Sequence, residues 1–253
     1  MYLLPKTWLF AAILSLAGLA GCAPKTANPA AAGFNAAASD PQAVAIADQV
    51  MIAMGGRKAW DATRRISWNF FGARTLVWDK QAGLCRIEWL KKPRKVIVNL
   101  NDGTGKVYLN DLQQTHPDTL AKYLDMGKKV WINDSYWLVM PFKLKDSGVT
   151  LKYVGVGKTE SGDLADILQL TFAGVGVTPD NKYHVWVDKK TRLVTQWAFF
   201  GKYSDEKPQF TNAWTHYARY GNILLSDRRG KDESSLAPIT VSDALPTDGT
   251  FDK

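Results

Sequence analysis

Residues 66–100 read ISWNFFGARTLVWDKQAGLCRIEWLKKPRKVIVNL, and their spacing decides the fold. Ile66, Trp68 and Phe70 alternate with Ser67 and Asn69, and Leu76 and Trp78 alternate with Thr75 and Val77. Ile87 and Trp89 face away from Arg86 and Glu88; Val96, Val98 and Leu100 face away from Lys95 and Asn99. A period of two is that of a strand with one buried face. Turn signals separate the runs: Gly72-Ala73, Asp79 to Gly83, Lys92-Pro93 and Asn101-Asp102-Gly103. Connections this short make the stretch an antiparallel meander.

Upstream, Asp40-Pro41 reads as a helix N-cap followed by proline in the first turn. Val44, Ala47, Val50, Met51 and Met54 then recur at helical spacing, Gly55-Gly56 stops the helix, and a bridge carrying Trp60 follows. Downstream the meander ends near Leu109. Thr115 to Asp118 opens a helix with Leu120, Tyr123 and Leu124 on one side, and Asn133-Asp134-Ser135 starts a second short helical piece ending before Pro141. Strands resume at residues 150–156, 167–172, 183–187, 193–200, 210–220 and 223–226, with a last one near 239–241. Ten to eleven strands and two helical regions, without strand–helix–strand alternation, give a mainly β, α+β fold. Its expected form is a large curved antiparallel sheet, an incomplete β-barrel covered by the N-terminal and central helices.

The N-terminus carries a different signal. Lys6 precedes an almost wholly apolar run from Thr7 to Leu19, too short to span a bilayer, and Leu19-Ala20-Gly21-Cys22 closes it. That order is a secretory signal with a cleavage site, and its ending resembles the lipobox of bacterial lipoproteins, whose cysteine is lipidated. Three segments result: 1–21 as signal peptide, 22–39 as lipidated cysteine and tether, and 40–253 as one domain. Residues 23–39, rich in Ala, Pro and Asn, read as a flexible leash with an r.m.s. reach of roughly 20–25 Å. With Cys22 used by the lipid, Cys85 is the only thiol left, so no internal disulfide is possible. Its strand-like surroundings make it a buried, inert thiol.

The formal net charge is +8 over 253 residues. The excess lies in scattered doublets: Arg57-Lys58, Arg64-Arg65, Lys91-Lys92, Arg94-Lys95, Lys128-Lys129, Lys189-Lys190 and Arg228-Arg229. They read as solvated strand ends and turns, with a basic surface resting on anionic lipid headgroups as the alternative. No recognition-helix or RNA-binding pattern is present, and nucleic acid is not an expected partner.

Trp68, Trp78, Trp89, Trp197 and Trp214 fall at strand positions whose same-face neighbours are mostly apolar. They form either the ordinary core between sheet and helix or, with Phe70, the lining of a cavity for acyl chains. Two helices offer limited apolar surface to so wide a sheet, and this mismatch motivates the cavity. Trp68, Phe70, Trp78, Trp89, Trp197 and Trp214 are therefore the candidate ligand-binding residues.

Met54-Gly55-Gly56-Arg57-Lys58-Ala59-Trp60, the following Ile66–Phe71, and Trp137-Leu138-Val139-Met140-Pro141-Phe142 before the second set of strands carry a resemblance to the LolA/LolB superfamily. It spans residues 43–251 as an order of elements more than as shared sequence. The resemblance implies an incomplete β-barrel closed by helices over an apolar cavity, and lipoprotein carriers, receptors and related lipid-binding proteins as functional company. No functional arginine of that family is matched here. The soluble shuttle of that family has no anchor, whereas this chain has its own, which favours a stationary role.

Catalytic patterns are thin. His116, His184 and His216 are widely separated, no metal-binding His or Cys spacing occurs, and G-x-S-x-G is absent. Neither enzyme activity, metal nor cofactor is expected. The expected function is a membrane-anchored lipid or lipoprotein-binding protein of the cell envelope, assisting sorting to the outer membrane. The alternative is a non-catalytic interaction or sensor module using the curved sheet. Ala23 after the cysteine, in place of a retaining aspartate, favours the periplasmic face of the outer membrane. The expected partners are the membrane, through the N-terminal lipid anchor, and a lipid or acyl chain of a lipoprotein; the chain is expected to be a monomer.

Overall fold

The computed structural model of the chain describes residues 28–174, 176, 180–230, 234–244 and 247–252. Cys22 and the signal segment lie outside the described residues. The strands divide into two seven-stranded antiparallel sheets. The first holds β1 (Arg65–Phe70), β2 (Arg74–Asp79), β3 (Leu84–Trp89), β4 (Arg94–Asn99), β5 (Gly105–Leu109) and β6 (Leu112–Gln113). The second runs from β7 (Val149–Lys158) through β8 (Leu164–Phe172), β9 (Lys182–Asp188), β10 (Val194–Phe200), β11 (Phe210–Tyr220) and β12 (Ile223–Arg229) to β13 (Ser234–Ser235). The chain then crosses back as β14 (Thr240–Ser242) beside β1, so one connection joins the ends of both sheets. Asn69 N–H donates to the Leu236 carbonyl within this crossover. The barrel stays open, and the fold is mainly β with few helices.

The alternation read in the sequence becomes rows across the first sheet. Trp68, Leu76, Ile87, Val96 and Val107 stand opposite one another on successive strands, and Ile66, Trp78, Cys85 and Val98 form a second row. All of them are buried. A one-residue slip would turn every one of these side chains to solvent, so this apolar face fixes the register. Cys85 is fully enclosed, and burial pushes its thiol well above the ordinary range.

Helix α1 (Pro41–Ala53) starts at Asp40 as expected, but Asp40 does not cap it. Its carboxylate accepts from the Tyr153 N–H and Lys152 Nζ, joining the helix start to β7. The helix ends at Gly55-Gly56 because the chain passes against the β11–β12 turn there: a Cβ on Gly55 would sit 2.4 Å from the Asn222 carbonyl oxygen. Helix α2 (Arg57–Ala62) carries Trp60, which stacks on Phe142 at 4.4 Å.

Two expectations are corrected. The central insert is one 23-residue helix, α3 (Pro117–Val139), followed by a 3-10 turn (Met140–Lys143). Asn133-Asp134-Ser135 resembles a helix start, yet these residues are the polar contacts of a helix interior. Asp134 is fully buried and takes a bidentate bond from Arg74 at 2.5 and 2.7 Å, with Asn133 Nδ2 donating to it as well. The segment read as a leash is also docked from Asn28 onward. Ala31 N–H donates to the Lys145 carbonyl, Asn35 N–H to the Val149 carbonyl and Gly148 N–H to the Gly33 carbonyl, while Phe34 packs on the core. Low apolar content did not predict this, because the strap is held by backbone hydrogen bonds to the edge of the second sheet.

Helix α3 lies between the sheets, its first half on β4 and β5 and its end against β12. Gly127 allows the close approach, since a Cβ there would meet Val96 at 2.8 Å. The Arg74–Asp134 pair is enclosed, and burial raises the Asp134 pKa against the opposing pull of Arg74. Such a pair is costly to break and cheap to replace. We expect Arg74→Ala to lose about 3–5 kcal/mol in urea unfolding and Arg74→Met with Asp134→Leu to lose little. Equal losses in both would contradict this reading of the pair.

Candidate functional site

A cavity of about 320 Å3 opens between the C-terminal half of α3 and the second sheet. Trp131, Ile132, Tyr136 and Trp137 supply its helical wall, and Phe172 of β8, Tyr183 of β9 and Trp197 of β10 supply the sheet wall. Lys143, Asp146 and Ser147, in the turn leading to β7, give it a polar rim, with Lys143 and Asp146 ion-paired. The wall is a continuous aromatic contact network. Trp197 stacks on Tyr183 with centroids 5.2 Å apart and planes 6° from parallel, and meets Trp137 edge-on at 4.7 Å. Such pairs contribute about 0.5–1.5 kcal/mol each beyond the area they bury.

Of the six residues expected to line a cavity, one does. Trp197 is the hub of the network. Trp214 lies behind it, 5.6 Å away, and carries the Arg229 guanidinium over its ring at 3.5 Å. Trp68 and Trp78 belong to the packed core of the first sheet, and Trp78 meets Trp131 edge-on at 5.2 Å and Trp60 at 6.4 Å. Phe70, half-buried, meets Trp137 edge-on at 6.5 Å and lies under Arg74. Trp89 ends β3, opposite Arg74 in register and beneath Arg94. The sequence signal that was missed is Trp131, Tyr136 and Trp137 on α3, obscured because Asn133-Asp134-Ser135 read as a break in the helix.

Arg229 holds the wall in place. In sequence it reads with Arg228 as a solvated doublet, but the residue is 2% exposed. Nε and Nη2 donate to the Trp137 carbonyl at 3.0 and 2.6 Å, Nη1 to Ser226 Oγ and the Arg228 carbonyl, and Nη2 also to the Ser226 carbonyl. Burial pushes its pKa down to about 9, which leaves it charged at neutral pH. Trp137 lies in the last turn of α3, where carbonyls lack helical partners and a cation is favoured.

The histidines are dispersed. His116 is the exposed residue before α3, His184 on β9 bonds Gln169 at 3.3 Å, and His216, within β11 at a φ of 56°, bonds the buried Asp227 at 2.5 Å. Among the described residues, no group of three His, Cys, Asp or Glu side chains is placed to hold a metal ion.

Tyr183 gives the wall a pH signature. Burial pushes its pKa up to about 12, with Asn181 pulling slightly the other way. Unfolded tyrosine titrates near pH 10, so the folded state keeps a proton that the unfolded state releases. The stabilising protonation is complete below about pH 10 and is lost between about pH 10 and 12, at up to about 1.4 kcal/mol per pH unit. Tyr183→Phe is expected to flatten the fall in urea midpoint across that window, and an unchanged slope would contradict the assignment.

No protein-family model matches the chain, and no curated protein matches it. Solved structures do resemble it. A DUF1329 family protein from Desulfovibrio piger is 16% identical, with 84% of this chain and 98% of that one covered at a TM-score of 0.47. A domain named as an outer membrane lipoprotein-sorting protein from Vibrio parahaemolyticus is 9% identical, covering 83% and 97% at 0.43. A LolA superfamily protein from Nitrosomonas europaea is 8% identical, covering 81% and 87% at 0.37. DUF1329 and LolA-superfamily proteins are thus among the structure neighbours of this chain, at scores below 0.5 that leave its function to be argued from its own cavity.

Proposed function

We propose that this chain is a lipid-binding protein of the cell envelope, held at a membrane through Cys22, whose cavity takes one acyl chain of a lipid or lipoprotein. The observation that carries this reading is the aromatic-walled cavity between α3 and the second sheet. Its walls are mainly apolar, with Asn133 and Ser135 as polar members, and its charged groups among the described residues are Lys143 and Asp146. That distribution fits a ligand with a long apolar part and a polar end. About 320 Å3 is at the lower end of ligand-pocket volumes, which favours one chain over several.

The proposed setting is the periplasmic face of an outer membrane, from the lipobox-like Leu19-Ala20-Gly21-Cys22 and the Ala23 that follows. The proposed role is non-catalytic: reception or retention of a lipid or acylated protein by a monomer that does not leave its membrane.

Titration with a fluorescent fatty acid tests the binding. Saturable one-to-one binding with quenching of tryptophan emission is expected. Ile132 is a half-buried wall residue, so Ile132→Trp narrows the cavity without entering the core. It should weaken binding by roughly tenfold or more while leaving the melting temperature unchanged. Binding that is absent in the unsubstituted chain, or indifferent to Ile132→Trp, would sink the reading.

A further inference from the structure

The docked strap decides where the tether leaves the domain. Asn28 is nearly buried, with its carbonyl accepting from Lys145 Nζ at 2.6 Å and its amide donating to Asp48. The next carbonyl, of Pro29, accepts from Arg57. Five residues separate this point from Cys22, one of them Lys25. Fully extended, that stretch spans about 20 Å. A domain of this length is about 45 Å across. The exit point is therefore confined near the bilayer surface, and the far side of the domain is turned away from it. A leash running to residue 39 would have imposed no such limit.

The surroundings of the exit are basic. Arg57 and exposed Lys58 open α2, and Lys80 lies over the Trp60 ring at 4.7 Å. Trp60 in turn stacks on Phe142, the neighbour of Lys143. Burial lowers the Lys80 pKa, Asp61 pulls it back up, and the nearby Arg57 and Lys143 lower it further. With Lys145 this makes five cations. Three carboxylates face them: Asp61 on Arg57, Asp146 on Lys143 and Asp48 on Lys145. Asp61 acts on Lys80 as well as on Arg57, and the face keeps two more cations than carboxylates among the described residues. Lys143 also belongs to the cavity rim, so the basic face and the cavity adjoin.

We infer that the face formed by Arg57, Lys58, Lys80 and Lys143 around the strap exit docks on an anionic lipid bilayer, with the Lys143 rim of the cavity turned towards that surface. This rests on the anchoring at Cys22 proposed above and adds an orientation to it: a lipid reaches the cavity from the anchoring membrane itself, and the cavity does not face open solvent. Each lysine near an anionic surface is worth roughly fivefold in the docking equilibrium, or about 1 kcal/mol, at moderate salt. Screening at molar salt, with a Debye length of about 3 Å, removes most of that.

The full acylated chain in vesicles tests the orientation. A thiol-reactive dye is placed by Gln81→Cys, beside Lys80, or by Lys91→Cys, at the β3–β4 turn. That turn is at the opposite end of the first sheet, since the β2–β3 and β3–β4 connections leave opposite ends of strand β3. Cys85 is enclosed and does not compete for the dye. In phosphatidylcholine vesicles containing phosphatidylglycerol, nitroxide-headgroup lipid should quench the dye at 81 far more than at 91. Lys58→Gln with Lys80→Gln should lower the docking equilibrium by roughly 25-fold, as should molar salt, and should leave fluorescent fatty-acid binding unchanged. Equal or reversed quenching at the two positions, or a difference that survives without phosphatidylglycerol, overturns the orientation while fatty-acid binding still reports on the cavity. Dye uptake by the unsubstituted chain shows an unacylated Cys22 and removes the anchoring together with the orientation built on it.

Discussion

Arg229 is the contact on which the architecture turns. A long helix laid between two open sheets has no reason to stop at one depth, because ring packing alone tolerates sliding. The guanidinium removes that freedom by donating to the Trp137 carbonyl while bonding Ser226 and Arg228 on β12, with Trp214 covering its face. Every N–H of the group thus has an acceptor, which is the condition for keeping a charge in an apolar interior. The result is a fixed position for Tyr136 and Trp137 against Trp197. At its other side α3 is fixed by Asp134 on Arg74. Two buried charged groups, one to each sheet, thereby define the gap that the ring network leaves open.

The two sheets divide the work. The first is a layer whose rows of Trp68, Leu76, Ile87 and Val96 are fully buried, with α3 packed on its β4 and β5. The second lines the cavity with Phe172 of β8, Tyr183 of β9 and Trp197 of β10, facing the C-terminal half of α3. Rings suit such a wall because a planar side chain keeps its position without being packed on both faces.

The first sheet was legible in the sequence because a half-buried antiparallel strand declares its face every second residue. Residues 66–100 do so without interruption, and the strands fall where the alternation places them. The cavity wall was less legible for two reasons. Asn133-Asp134-Ser135 has the composition of a helix start, and only the three-dimensional partner of Asp134, 60 residues earlier at Arg74, explains its place within a helix. Tryptophan in a strand is equally suited to a core and to a cavity, so Trp68, Trp78 and Trp197 look alike until α3 is positioned. Arg229 shows the same limit from the other side: a charge next to another charge reads as surface, and nothing local marks it as enclosed. The strap is hard to read in sequence because it is held by backbone hydrogen bonds, which every sequence can make, and by partners far along the chain, such as Asp48 and Lys145 on Asn28.

The central claim is that the space beside Trp197 is a binding site for an acyl chain. Crystals of the chain grown with a bromine-labelled fatty acid would locate that ligand directly by anomalous scattering. The account requires a bromine peak between Trp131, Tyr136 and Trp197, with the carboxylate towards Lys143. A peak elsewhere on the molecule, or none with the cavity unchanged, would contradict it.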